Sequence, residues 1–167
     1  ETKMKSKIFL IFLLLILLVS TAQAALTTIG TATYLGTDYN LIWDDDNNGN
    51  SVVWLDYSNG RDTLDNQVAW ASGLNGDGVL SYNIDSQYSV TWDSGWRLPT
   101  AVNGDYQYGY DGTTTGGYNI TTSELGSLYY NDFGNKGYVA IDGTIPQLGW
   151  GLNHTGDFKN LGDGWYW

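Results

Sequence analysis

Hydrophobic positions fall into three kinds of run along this chain. The first is unbroken: Ile8 to Val19, "IFLIFLLLILLV", with no polar interruption. The second is short, β-branched and aromatic. "TATYLGT" at 31–37, "NLIWDD" at 40–45 and "SVVWLDY" at 51–57 have this form, and each predicts a strand. The last two flank the polar stretch "DDDNNGN", a turn by composition, which predicts a hairpin. The third kind recurs at helical spacing. Leu64, Val68, Ala71 and Leu74 predict a helix over 63–75, capped by Thr63 or Asp62 and stopped at Gly76. Leu125, Leu128, Tyr129 and Phe133 predict a second helix over about 121–132, with Thr121 and Glu124 as a capping box and Gly134 as its stop. "YSVTWD" at 88–93 is the strand candidate between the helices, and short strands in loops are expected from residue 138 onward.

The order is strands, helix, strand, then a segment with no apolar period, a second helix and loops. That is an α+β domain with two short helices and short antiparallel strands, because alternation of strand and helix is missing. The aperiodic segment, "AVNGDYQYGYDGTTTGGYN" at 101–119, reads as an exposed insertion partly ordered by tyrosine packing.

The unbroken run changes the picture of the N-terminus. Lys3, Lys5 and Lys7 precede it and Ala22-Gln23-Ala24 follows it, the layout of a secretory signal peptide. Its 12 apolar residues fall short of the roughly 20 that a membrane span needs. The expectation is export, with residues 1–24 removed and 25–167 forming one extracytoplasmic domain, secreted or on the cell surface, with no membrane span in the mature chain. Removal takes three lysines and one glutamate from the 7 basic and 18 acidic residues, leaving 4 against 17 and a net charge of −13. Phosphate recognition needs clustered Lys and Arg, so a nucleic-acid role is excluded. There is no cysteine, so neither thiolate chemistry nor a disulfide frame is open to the chain.

Few residues carry candidate chemistry. Arg97 stands in an apolar and aromatic run, "SGWRLPT", and a buried guanidinium needs an acceptor. Glu124, the one glutamate left after removal of residues 1–24, is its expected partner beneath the second helix, with Pro99 fixing the exit from a strand and Trp96 beside them. Asp44, Asp46 and Asn48 before Gly49 match the first half of a calcium loop, with Asp56 near the place of the missing bidentate glutamate. Calcium is therefore a candidate cofactor, weighed against a solvated acidic turn. Tyr106, Tyr108, Tyr110 and Tyr118 in the insertion are the candidate contact surface for a ligand. The tryptophans are expected mainly in the core. His154, the single histidine, builds neither a zinc site nor a catalytic triad.

"GWRLPT", a loop, then "TSELGSLYYNDFGN", preceded by "LIWDDD", "VVWLDYSN" and "VAWASGLN", resembles exported bacterial domains related to the Lcl C-terminal domain. The resemblance covers roughly residues 40–167. It implies a C-type-lectin-like fold, shared with formylglycine-generating-type proteins, and association with PEP-CTERM sorting tails. Members continue past a "YWS"-like element, so Tyr166-Trp167 is expected to begin that element, with the C-terminal strands following it. Formylglycine-generating chemistry uses cysteines and is not expected here. The leading functional expectation is a non-catalytic binding or matrix domain for a glycan or another extracellular polymer. An extracellular polysaccharide hydrolase using an Asp pair and a structural module without ligand are the alternatives.

Overall fold

A computed structural model describes residues 26–162. The signal-peptide segment and Tyr166-Trp167 lie outside the described residues. The fold is mixed α+β and its main sheet is antiparallel. Strands β1 (Leu26–Tyr34), β2 (Thr37–Asn47), β3 (Asn50–Leu55) and β4 (Leu80–Ile84) stand in the order β3-β2-β1-β4. Helix α1 (Leu64–Gly73) crosses between β3 and β4 in sequence.

Both hairpins turn on residues in the left-handed region. Leu35 and Gly36 join β1 to β2, and Asn48 (φ 54°) and Gly49 (φ 82°) join β2 to β3. Two positive φ values in succession make the two-residue turn whose twist matches antiparallel strands. The acidic run itself is strand, not turn: β2 runs on through Asp44, Asp45, Asp46 and Asn47 before turning.

Two features of sequence were read differently from the sequence alone. β4 lies at 80–84, not at 88–93. "LSYNI" is a weaker strand former than "YSVTWD", yet it pairs with β1 from Gly30↔Ile84 to Tyr34↔Leu80. A Cβ on Gly30 (φ 148°) would sit 2.2 Å from the Asn83 carbonyl, so only glycine permits this approach. Residues 88–93 have no ladder partner; Tyr88 and Val90 pack on the core instead. The second helix is also shorter than its spacing predicts. α2 is one turn, Glu124–Gly126, continued by a π-helical turn, Ser127–Asp132. Its cap is Ser123, whose Oγ accepts from the Gly126 amide at 3.1 Å, so Thr121 and Glu124 form no capping box.

Leu41 and Ile42, adjacent in β2, are both fully buried. Alternation sends them to opposite faces, and each face has its own core. Leu41 packs with Ile29, Ala32, Leu74 and Leu80 beneath α1. Ile42 packs with Leu128, Phe133 and Phe158 beneath the π-helical turn and the C-terminal loops. Among the described residues no helix is long and apolar enough to cross a membrane.

Candidate functional site

The segment around Arg97 is built on the end of α1. Asn75, just past the helix, accepts from the Trp96 amide at 2.6 Å and donates to the Trp96 carbonyl at 3.0 Å. The Trp96 indole donates to the Tyr82 hydroxyl at 2.7 Å, and Trp92 lies between Tyr82 and Trp96 at ring separations of 5.3 and 5.5 Å. Held this way, Arg97 reaches α2. Its Nη1 and Nη2 donate to the two Glu124 carboxylate oxygens at 2.7 and 2.6 Å, a fork-on-fork pair. Nη1 also donates to the Leu98 carbonyl, and the Thr100 amide donates to Glu124 Oε2 at 2.7 Å. The Glu124 amide in turn donates to the Thr100 carbonyl.

The buried member of this pair is the acid. The Glu124 side chain is 12% exposed and that of Arg97 is 49% exposed, so the expectation of a buried arginine is corrected. Hydrogen bonds from Arg97 hold the Glu124 carboxyl below the usual range; burial works the other way and the Thr100 amide adds to the lowering. The same bonds raise the Arg97 guanidinium against its own partial burial. Pro99 is half-buried in an irregular segment, with no strand for it to leave. The clamp ties the 95–100 segment to α2.

The four acids and amides of the calcium-loop pattern are dispersed. Asp46 Oδ1 accepts from the Gly49 amide and closes the turn. Asn48 donates to the Ser123 carbonyl at 3.4 Å. Asp56 is buried and spent: it accepts from the amides of Lys159 and Asn160, both at 2.9 Å, and from the Asn160 side chain. Asp44 is fully buried and accepts from the Trp54 indole at 3.1 Å and from Asn47 Nδ2 at 2.9 Å. Among the described residues no group of three or more His, Cys, Asp or Glu is gathered as a metal site. Sequence reasoning missed Asp132. Burial first, and then the charges of Asp44, Asp46 and Asp45, push its carboxyl up to about 7.

The insertion is more ordered than its composition implies. Strands β5 (Tyr108–Gly109) and β6 (Gly116–Gly117) form a small parallel pair, and Thr115 Oγ1 bridges the Gln107 amide to the Asp105 carbonyl. Tyr106 and Tyr108 are 77% and 63% exposed, Tyr110 is exposed, and Tyr118 is half-buried. Glycines supply flat seats for these rings. A Cβ at Gly116 would lie 2.5 Å from the Tyr106 ring, and one at Gly137 would lie 3.2 Å from that of Tyr118. Tyr118 meets Tyr108 edge-on at 6.4 Å, and burial, then Tyr108, raises its hydroxyl pKa.

A second loop joins the same surface. Asn119 (φ 60°) donates through Nδ2 to the carbonyls of Tyr110 and Val139, at 2.6 and 2.9 Å. This staple sets the 108–118 segment against residues 137–151. There Tyr138 and Trp150 stack edge-on at 4.9 Å, both exposed, with exposed Ile141, Ile145 and Leu148 nearby in sequence. Tyr110 packs at van der Waals distance from the Gly143 position. Tyr138 and Trp150 were not foreseen, though both are flanked by glycine as Tyr108, Tyr110 and Tyr118 are. Trp165 and Trp167 lie outside the described residues; of the other six tryptophans none is fully buried, and Trp92 and Trp150 are exposed. Core use is therefore partial. Trp43, Trp54, Trp70 and Trp96 line an open groove of about 1320 Å³ between β3, α1 and the 87–99 segment. His154 is an exposed loop residue whose amide donates to Asn135.

What the geometry defines is an α+β domain with an internally clamped arginine–glutamate pair and an outward aromatic face. Compared with protein-family models, curated proteins and solved structures, the chain matches none.

Proposed function

We propose that this chain is an exported, non-catalytic binding domain that takes a glycan, or a polymer of like chemistry, on the aromatic face of the 101–119 insertion. The observation that carries this reading is the set of exposed rings, Tyr106, Tyr108 and Tyr110, backed by Tyr138 and Trp150 across the Asn119 staple. Sugar rings stack their C–H faces on such rings, and tyrosine hydroxyls bond to sugar hydroxyls. Glycine seats and the staple hold the rings before the ligand arrives, which lowers the ordering cost of binding. A chain with 17 acids against 4 bases after residue 24 repels sulfated or uronic polymers, so the fitting glycan is neutral.

The fold is read as C-type-lectin-like, of the kind in Lcl C-terminal-related domains, because the WRLPT arginine and the Ser-Glu-Leu glutamate form one clamp. Export is read from the signal-peptide layout of residues 1–24, and surface association from the resemblance to Lcl C-terminal-related domains. The hydrolase alternative would draw on Asp132, whose carboxyl is raised as a general acid's would be, with Asp44 as its neighbour. Asp44 is sealed from solvent and cannot touch a sugar, so the pair does not suit a glycosidase.

The test is binding of the exported chain to neutral glycans on an array and in affinity gels, with reducing-sugar release measured alongside. Replacing Tyr106, Tyr108 and Tyr110 by alanine should weaken binding by about 10–2000-fold, at roughly 0.5–1.5 kcal/mol per ring, without lowering Tm. Binding that survives the triple replacement overturns the assignment of the face. Sugar release that falls in Asp132→Asn overturns the non-catalytic reading.

A further inference from the structure

The corner where β2 meets the π-helical turn is built in a way that the clamp does not require. In a regular strand Asp44 and Asn47, three residues apart, would point to opposite faces. The β2–β3 register shifts between them, from Asp44↔Val52 to Asn47↔Asn50, and this bulge lets both side chains face inward, where both are 0% exposed. The ladder loses pairing at Asp45 and Asp46 in exchange. What this gains is two oxygens: Asp44 Oδ1 and Asn47 Oδ1 are shut off from solvent and, among the described residues, receive no hydrogen bond.

The orientation of the Asn47 amide is fixed by its partners. Nδ2 donates to Asp44 Oδ2 and, at 3.1 Å, to the Glu124 carbonyl. Rotating the amide by half a turn would place its oxygen against two acceptors, so Oδ1 stays on the side without a donor. The Trp54 indole and Asn47 already occupy Asp44 Oδ2, and among the described residues no Lys or Arg pairs with Asp44. A buried carboxylate among other acids, with no cation paired to it and an open lone pair, is costly. The π-helical turn packs over this part of β2 through Leu128, Phe133 and Ile42, and it ends on Asp132, one of whose carboxylate oxygens is also sealed from solvent. Asp44 is the first of the charges that act on it.

We propose that the bulged hairpin and the π-helical turn bind a hard divalent cation, calcium by its ligand set, through side-chain oxygens of Asp44, Asn47 and Asp132. Two carboxylates and a carboxamide oxygen are the donors such a cation selects over soft metals. Three protein oxygens leave most of calcium's six to eight positions to water, which places the affinity near the weak extracellular range, about 10⁻⁴–10⁻³ M. This site shares only Asp44 with the calcium-loop pattern of the sequence, and it joins β2 to the segment that the Arg97 clamp holds from the other side. It does not rest on glycan binding.

The experiment is titration of the exported chain, cleared of metal with EDTA, with CaCl₂ alone and with MgCl₂ alone, by calorimetry and thermal melting. Calcium should bind saturably in that range and raise Tm, with magnesium weaker. Asp132 is only half-buried, so Asp132→Asn should fold, melt no lower than the parent chain in EDTA, and lose calcium affinity by on the order of 10–100-fold or more. Asp65→Asn on α1 should keep the parent affinity. Absence of both heat and melting shift at about 10 mM calcium, well above the stated range, would overturn the site and leave the two oxygens to an internal water. Parent-like calcium affinity in Asp132→Asn would overturn it equally.

Discussion

Removing the Arg97 guanidinium should destabilise the fold more than its half-exposed position implies. The reason is the asymmetry of the pair. Arg97 shows 49% of its side chain to solvent, but Glu124 shows only 12%. Arg97→Ala therefore leaves a carboxylate that water reaches poorly, with the Thr100 amide as its remaining donor. Two charge-assisted bonds are lost, each worth about 1.5–3 kcal/mol before solvent is counted. The exposed half of the guanidinium exchanges protein for water, and water enters the space it leaves, which removes a large part of that sum. The net expectation is about 2–3 kcal/mol for Arg97→Ala. Arg97→Lys retains the charge and loses the fork, so about half of that is expected. At roughly 3–5 °C per kcal/mol for a domain of this size, Tm should fall by about 6–15 °C in the alanine variant.

Acid gives an independent check. Glu124 has a folded pKa below its unfolded value, so its contribution is fully present above the unfolded value, near 4.3, and is lost as pH falls through the folded one. Glu124→Gln has no such titration. In urea melts the gap between the parent chain and Glu124→Gln should be wide at pH 7 and close as pH drops below about 4. A gap that is constant with pH, or melting unchanged within about 0.5 kcal/mol in both Arg97 variants, would refute the reasoning, since surface changes alone stay inside that margin.

Three further perturbations test the frame. Gly30→Ala forces a Cβ to 2.2 Å from the Asn83 carbonyl and 2.8 Å from Ile84 Cα, at a backbone angle foreign to alanine; a loss of about 3 kcal/mol or more is expected in chemical denaturation, with β4 detaching first in hydrogen exchange. Asp56→Ala removes the acceptor for both the Lys159 and Asn160 amides, and at about 1–3 kcal/mol per buried group left unmet it should expose residues 157–161 to limited proteolysis before the sheet unfolds. Asn119→Ala deletes the staple and keeps the positive φ, so the near-ultraviolet dichroism of the tyrosine face should weaken and amide exchange over 108–118 should accelerate, at a cost of about 2–3 kcal/mol.

The local grammar of this chain was readable where one residue decides the outcome. Asn48-Gly49 makes a hairpin in almost any context, and of the two expected caps, Thr63 and Asp62, it is Thr63 that caps α1 through the Asn66 amide. It was not readable where several residues compete and a distant contact chooses. Thr121, Thr122 and Ser123 are all competent caps; Ser123 wins because Gly126 lies against the Ile120 carbonyl, so close that a Cβ there would stand 1.8 Å away. "YSVTWD" has the better strand composition, but β1 offers its free edge to "LSYNI". The Asp-x-Asp-x-Asn spacing was visible, while the bulge that turns Asp44 and Asn47 to one side is a property of register with β3 and leaves no mark in spacing. Of the aromatic face, the insertion half was legible from composition; Tyr138 and Trp150 were not, since only the Asn119 staple assigns them to the same surface.

The acids that looked like a solvated surface divide into two populations, and the smaller one holds the fold together. Asp157 accepts from the Thr28 amide and hydroxyl across 129 residues of chain, Asp56 joins the end of β3 to residues 159–160, and Glu124 joins α2 to the 97–100 segment. Each ties together segments remote in sequence, as a disulfide would, in a chain that has no cysteine. The difference is in what the tie fixes. A disulfide restricts the unfolded chain, whereas a carboxylate receiving backbone amides stabilises only the native pairing and positions the loop that donates them. Loops 95–100 and 157–161 owe their placement to these acceptors together with apolar anchors, Trp96 in the first and Phe158 in the second. That leaves the 101–119 insertion, which is held by its own turns and by the Asn119 staple, free to vary in sequence without disturbing the frame beneath it.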